Sequence, residues 1–233
     1  MLDDLKSQVC RANLELVRYG LVTLTWGNVS GLSPDGQYVV IKPSGISYER
    51  MSPETMAVVD LDGNVVEGKL RPSSDTPTHV RLYRAFQGIG GVTHTHSPKA
   101  TAFAQARMEI PCLGTTHADH LFGPVPVTRA LTAGEVEKAY EANTGKVIVE
   151  RFQDLNPLEL PGVLVAGHGP FAWGKDAWDS IKNAVALESV AEMAISTRLL
   201  RPDAPELEQY ILNKHYQRKH GPDAYYGQTK LWR

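Results

Sequence analysis

The chain has 233 residues, 42% of them hydrophobic and 21% charged, which is enough for one compact domain with a full core. A formal net charge of −2 with both signs interleaved offers no basic stripe for nucleic acid and no polybasic segment for a membrane. The two cysteines, Cys10 and Cys112, form no C-x-x-C pair, which suits a reducing compartment and excludes a thiolate zinc cluster.

"MLDDLKSQVCRANLELVRYG" places Leu5, Val9, Ala12 and Leu16 at helical spacing, with Gly20 as the stop. It holds no apolar region of signal-peptide type, and no run of about 18 apolar residues occurs anywhere, so a cytoplasmic location is expected. "LVTLTW" reads as a strand. "SPDG" is a turn before a second strand in "QYVVIKPSG". "MAVVDLDGNVVEG" has the form of a hairpin around Asp62-Gly63. "TPTHVRLYRAF" opens with Thr76 and Pro77, a cap and a first-turn residue, and predicts a helix. "GGVTHTH" reads as a strand, "PKATAFAQA" as a helix and "GPVPVTRA" as a short extended piece. Thr132 and Glu135 form a capping box for the next helix. "KVIVERF" and "GVLVAGH" read as strands. From Asp176 to Leu200 runs one long helix, apolar on two faces and so expected to be buried on two sides. "PELEQYILNKHYQRKH" is a final helix ending at Gly221 and Pro222. The expectation is an α/β fold in one domain spanning 1–233, a three-layer α/β/α arrangement with a mainly antiparallel central sheet.

The chemistry concentrates in a few short stretches. In "GGVTHTHS", His94 and His96 are two apart on an extended chain and so share a face. In "LVAGHGPFAWG", His168 follows an apolar strand and is flanked by Gly167 and Gly169, which let a ligand approach closely. Three imidazoles with an open position are a known donor set for catalytic zinc. A cupin would require a glutamate shortly after the second histidine, and "SPKATAF" has none. Asp75 in "PSSDTPT" is either a helix N-cap or a carboxylate near such a metal. Small polar loops supply Gly27 and Asn28, then Lys42, Ser44 and Gly45, then Ser73 and Ser74. Hydroxyls, backbone N–H groups and one lysine are the inventory for holding a phosphate. Asp119 in "GTTHADH" reads alone as a solvated loop acid, and Tyr225 and Tyr226 as packing of a tail.

Taken together and in order, "TLTWGNVSG", "VIKPSG", "PSSDTPTH", "GVTHTHS", "GTTHADH", "PGVLVAGHGPFAWG" and "KHYQRKHG…AYYGQ" resemble the class II aldolase/adducin family, in its pentulose-phosphate 4-epimerase branch. The resemblance covers nearly the whole chain. It implies an α/β/α fold, one zinc per subunit (with Mn2+ or Co2+ as substitutes), and a homotetramer with active sites between subunits. It implies His94, His96 and His168 as zinc ligands with Asp75 at or near the metal. It implies Gly27, Asn28, Lys42, Ser44, Gly45, Ser73 and Ser74 around the substrate and its phosphate. Asp119 and Tyr226 match the acid/base positions, with Tyr226 reaching a neighbour's site. His215 is a further candidate nearby, although it shares a helical face with Leu207 and Ile211 and so has packing as a rival role. The implied activity interconverts L-ribulose 5-phosphate and D-xylulose 5-phosphate by breaking and re-forming a carbon–carbon bond. The alternatives are a sugar-phosphate aldolase and a non-catalytic adducin-like binding module. Related aldolases carry glutamate where this chain has Asp75, which favours the epimerase, and the retained histidines disfavour the module. The tail "TKLWR" departs from the family pattern.

Overall fold

The computed structural model describes residues 2–226, so the tail at 229–233 lies outside the described residues. Its centre is a sheet of seven strands: β1 (Asn28–Leu32), β2 (Tyr38–Ile41), β3 (Ala57–Asp60), β4 (Val65–Glu67), β5 (Gly91–His94), β6 (Gly162–Leu164) and β7 (Pro170–Gly174). The spatial order is β4-β3-β2-β1-β5-β7-β6, and every neighbouring pair is antiparallel. The helices are α1 (Leu2–Arg18), α2 (Thr76–Ala85), α3 (Pro98–Ala106), α4 (Thr115–Ala118), α5 (Ala133–Arg151), α6 (Ala177–Leu200) and α7 (Gln209–His220). Among the described residues, no helix is long and apolar enough to cross a membrane.

Register sorts the side chains onto two faces, because neighbours along a strand alternate and directly paired residues agree. Val29 pairs with Thr93, and Thr93 with Ala172, so these three share a face. On that face α1 and the start of α6 pack, with Leu5, Val9 and Leu16 meeting Val29, Val40, Ala172, Ile181 and Ala184. A row of glycines across β1, β5 and β7, Gly31 opposite Gly91 and Gly91 opposite Gly174, lets the helices reach the sheet backbone. A methyl group at Gly91 would fall 2.2 Å from the Asp176 carbonyl oxygen. The other face carries Val39, Val59, Val92, Phe171 and Trp173 against Val80 and Leu82 of α2, Phe103 of α3 and Ile148 of α5. Each such large apolar side chain contributes about 1.5–3 kcal/mol on full burial. Leu187, Val190 and Ala191 belong to this second core, so α6 is buried on two sides, as its double stripe predicts. Three layers and an antiparallel sheet match the fold expected from the sequence.

Two expected strands are not strands. "KVIVERF" continues α5 instead. The β preference of Val147, Ile148 and Val149 is worth no more than about 1 kcal/mol and is overridden by packing. Thr144, Gly145, Val147 and Ile148 are buried at helical spacing, and Gly145 lies against Arg81 and Thr78 of α2. The capping box at Thr132 and Glu135, formed in both directions, starts this helix where expected. "LVTLTW" is a loop, because the extended chain is interrupted before β1. Leu24 has φ +54 and Gly27 has φ +84, both in the left-handed region. Two strands were not anticipated: β1, which starts just past "LVTLTW" at Asn28, and β7, in "PFAWG", which pairs on both edges.

Candidate active site

Three imidazoles meet beside the end of the sheet. His94 is the last residue of β5, His96 follows two residues later, and His168 sits in the turn between β6 and β7. Gly167 makes that turn at φ +74. Ring centroids are 5.0 Å apart for His94 and His96, 4.8 Å for His94 and His168, and 5.0 Å for His96 and His168. One nitrogen from each ring lies within 4.8 Å of the others. His94 Nδ1 donates to the Pro170 carbonyl at 2.9 Å, since a carbonyl only accepts, which leaves Nε2 with a free lone pair. Phe171 stacks on the same ring at 4.0 Å. His168 Nδ1 meets the Tyr140 hydroxyl at 3.3 Å. Burial first, then His94 and His96, pushes His168 down to about 3, and burial with His94 pushes His96 down as well. Both rings are therefore neutral at neutral pH, the form that binds a metal. His94 is buried while His96 is exposed, so the cluster opens towards solvent. The donor chemistry fits a zinc-like divalent cation.

The same cavity, about 600 Å³, is lined by Asn28, Lys42, Ser44, Ser73, Ser74 and Asp75, and by Gly27 and Gly45. Two loops are laced together to make its far wall. Ser44 N–H donates to the Arg71 carbonyl at 2.9 Å and Ser73 N–H to the Lys42 carbonyl at 3.0 Å. Gly27 is required twice over, by its positive φ and because a methyl there would fall 2.8 Å from Val22 Cγ1 and 3.0 Å from the His94 carbonyl. Gly45, at φ +69, has open space around it. Lys42 is buried, its amine lying 5.1 Å from the Tyr48 ring centroid, and burial lowers its pKa despite the opposing pull of Asp75.

Asp75 occupies the N-cap position of α2 but makes no capping bond. Its Oδ2 instead accepts from Asn28 Nδ2 at 2.7 Å. Burial opposes its ionisation, but His94, His79 and the Asn28 amide outweigh burial and hold the carboxyl below its usual range. Asp75 is not among the donor atoms clustered within 4.8 Å, which come from the three histidines. Because the Asn28 amide must offer its NH2 to a carboxylate, its Oδ1 is left buried without a partner among the described residues.

Asp119 and Tyr226 do not line this cavity. They belong to a second cluster, where α7 docks on α4 through Cys112, Ala118 and Leu212. Asp119 is buried, not a solvated loop acid; its carboxylate accepts from His215 Nδ1 at 3.1 Å and from Arg218 at 2.8 and 3.0 Å. Burial works against ionisation here too, yet the bonds and charges of Arg218 and His215 win and keep the carboxyl below its usual range. Tyr226 is half exposed, with the Arg218 guanidinium 4.2 Å over its ring. The buried positions of α7 are Leu212 and Tyr216, and the half-buried His215 gives its Nδ1 to Asp119. Tyr140, Glu141, Thr25 and Trp26 also line the histidine cavity, and sequence reasoning missed them. Tyr140 and Glu141 follow Ala139, whose non-helical φ/ψ kinks α5, and no sequence motif marks that kink.

The class II aldolase and adducin N-terminal domain family matches residues 7–195. Over 227 residues the chain is 57% identical to a protein of Salmonella paratyphi A named L-ribulose-5-phosphate 4-epimerase UlaF, covering 97% of this chain and all of that one. The identity is the same, 57% over the same coverage, with the protein of that name from Salmonella typhi. Among solved structures, an L-fuculose 1-phosphate aldolase superposes with a TM-score of 0.73 at 26% identity, covering 92% of this chain and 95% of that one. The L-fuculose-1-phosphate aldolase of Thermus thermophilus has a TM-score of 0.65 at 24% identity, covering 87% and 98%, and shares the fold.

Proposed function

The chain belongs to the class II aldolase and adducin family, and from that membership we propose that it is a metal-dependent 4-epimerase interconverting L-ribulose 5-phosphate and D-xylulose 5-phosphate. One observation carries the reading beyond the likeness to named epimerases: three clustered imidazoles and two laced serine loops open into a single cavity. A metal donor set beside a phosphate grip is the equipment for a phosphorylated ketose.

The C4 proton of the ketose is not acidic, being too far from the C2 carbonyl for direct removal. Breaking C3–C4 avoids that difficulty. A base takes the C4 hydroxyl proton, the C3–C4 electrons move towards C2, and the fragments are the enediolate of dihydroxyacetone and glycolaldehyde phosphate. Turning the aldehyde and re-forming the bond inverts C4. His94, His96 and His168 would hold zinc, with Mn2+ or Co2+ as substitutes, and a bound zinc supplies Lewis-acid stabilisation of the charge that develops beside the ketone. Asp75 sits at the edge of that group and orients Asn28, whose unpartnered Oδ1 is free to accept from a sugar hydroxyl. Ser44, Gly45, Ser73 and Ser74, with Lys42 behind them, hold the phosphate, so the aldehyde fragment turns without leaving. Asp119 and Tyr226 take and return the proton on opposite faces.

Because Asp119 and Tyr226 lie together away from the cavity, we read the working site as shared between copies of the single 1–233 domain, in a homotetramer. Buried free thiols at Cys10 and Cys112 and a sugar-phosphate substrate suit a cytoplasmic enzyme. An aldolase that releases its fragments is the second reading, favoured by the likeness to L-fuculose 1-phosphate aldolase. Incubation with L-ribulose 5-phosphate decides between them. D-xylulose 5-phosphate as the product supports the epimerase, net release of dihydroxyacetone supports the aldolase, and an unchanged substrate with zinc-loaded protein refutes both.

A further inference from the structure

Asp119 and Tyr226 come from different segments, yet one side chain touches both. Arg218 Nε and Nη2 donate to Asp119 Oδ1 and Oδ2 at 3.0 and 2.8 Å, a two-pronged match of guanidinium to carboxylate. The guanidinium carbon lies 4.2 Å from the Tyr226 ring centroid. The Arg218 carbonyl accepts the backbone N–H groups of Tyr225 and Tyr226 at 2.9 and 3.0 Å. Arg218 is therefore joined to the carboxylate, to the phenol ring and to the backbone that carries the phenol.

We propose that Arg218 is a positioning residue for the acid/base pair: it holds Asp119 as an ionised carboxylate and sets the Tyr226 ring at a fixed offset from it. The inference rests on the epimerase reading for what the two residues do. Other groups face Asp119, but none does both jobs. From α7, His215 gives Oδ1 a single bond at 3.1 Å, and His220 bonds only the Asp119 backbone carbonyl at 2.9 Å. Lys219 turns to His120, 3.1 Å away, and from the α4 side His117 bonds the Gly123 carbonyl at 2.8 Å. Lysine at position 218 would keep a charge but lose the planar fork and the stacking surface.

The test compares Arg218→Gln, Arg218→Lys and Arg218→Ala with the unmodified tetramer. In protein carrying carbon-13 in its aspartate carboxyls, the Asp119 signal is assigned by its loss in Asp119→Asn. It should titrate at higher pH in Arg218→Gln than in the unmodified protein, and this readout needs no substrate. With L-ribulose 5-phosphate, kcat should fall by about 10²-fold, the scale of a mispositioned reacting group, while KM and zinc content stay unchanged. Arg218→Lys should restore most of the titration but little of kcat, and it serves as the folded variant if glutamine disrupts the helix. Methylguanidinium should return part of kcat to Arg218→Ala. An Asp119 titration unmoved by both the glutamine and lysine variants overturns the proposal. So does a raised KM at unchanged kcat, which would make Arg218 a substrate contact. If the unmodified enzyme leaves L-ribulose 5-phosphate untouched, the epimerase reading falls while the carboxyl titration still decides what Arg218 does.

Discussion

The histidine cavity and the Asp119 cluster carry the two halves of one proposed reaction but are held by different forces. The cavity is anchored in the sheet: His94 ends β5, Asn28 begins β1 directly opposite it, and Phe171 of β7 stacks on the imidazole. Its loops are tied by backbone hydrogen bonds, which change little with salt or pH. The Asp119 cluster instead hangs on a short helix and the last helix, over a satellite core of Cys112, Ala118 and Leu212. What orders it is an ion pair, a few imidazole bonds and a ring under a guanidinium. The groups proposed to hold a metal are placed by strand register and the turns beside the sheet. The groups proposed to move protons are placed by side-chain contacts between two helices.

The largest expected effect breaks the first half alone. His96→Asn should abolish both zinc binding and epimerisation while leaving the Asp119 cluster and the melting temperature of metal-free protein unchanged. Metal analysis and an activity assay on the same sample check this, and full activity in metal-free His96→Asn protein would falsify the donor assignment.

Next comes the loss of the second half. Asp119→Asn and Tyr226→Phe should each cut epimerisation by roughly 10²–10⁴-fold with zinc retained, the scale of a lost general acid or base. If the halves come from different subunits, mixing Tyr226→Phe with His94→Asn under subunit exchange should recover activity that neither has alone. No recovery in proven hybrids would mean that each protomer builds its own site.

A smaller effect separates the regions by pH. Burial first, with Lys219 adding to it for His120, pushes His117 and His120 down to about 4 in the Asp119 region. In the unfolded chain both titrate near the ordinary value of about 6.5. Between those values the unfolded state binds more protons, so stability is full above about 6.5 and falls as pH drops towards about 4. His168, at about 3, adds the same sign in the cavity, and a bound metal, which needs the neutral ring, adds to it. Thermal midpoints should therefore decline on acidification with and without zinc, more steeply with zinc, because protons compete with the metal for its imidazoles. A His120→Asn variant whose midpoint declines as steeply as the parent's would remove this residue from the account.

The smallest effect tests how far the cavity depends on helix capping. Thr132→Ala removes one side of the capping box at the start of α5 and should cost about 1 kcal/mol of stability. Since α5 carries Tyr140 and Glu141 into the cavity, KM should rise while zinc content holds. Denaturant unfolding together with steady-state kinetics would measure both.

Most residues of the cavity and the class of the fold were legible before any coordinates. Gly27-Asn28, Lys42 to Gly45 and Ser73 to Asp75 are marked by the resemblance of their short motifs to the family, and the shared face of His94 and His96 by local spacing. The capping box and the double stripe of α6 were legible for the same reason, since both depend on neighbours within a turn or two. The end of α5 was not legible, because its valines and isoleucine favour a strand locally and only contact with α2 makes a helix the better solution. Nor was the company of Asp119. Arg218, His215 and Tyr226 stand far from it along the chain, and nothing in "GTTHADH" announces a buried ion pair. It took the folded chain to bring Asp119 and Tyr226 to one arginine and to set them apart from the histidines. Such pairings depend on which surfaces pack, a property of the folded core and not of spacing along the chain.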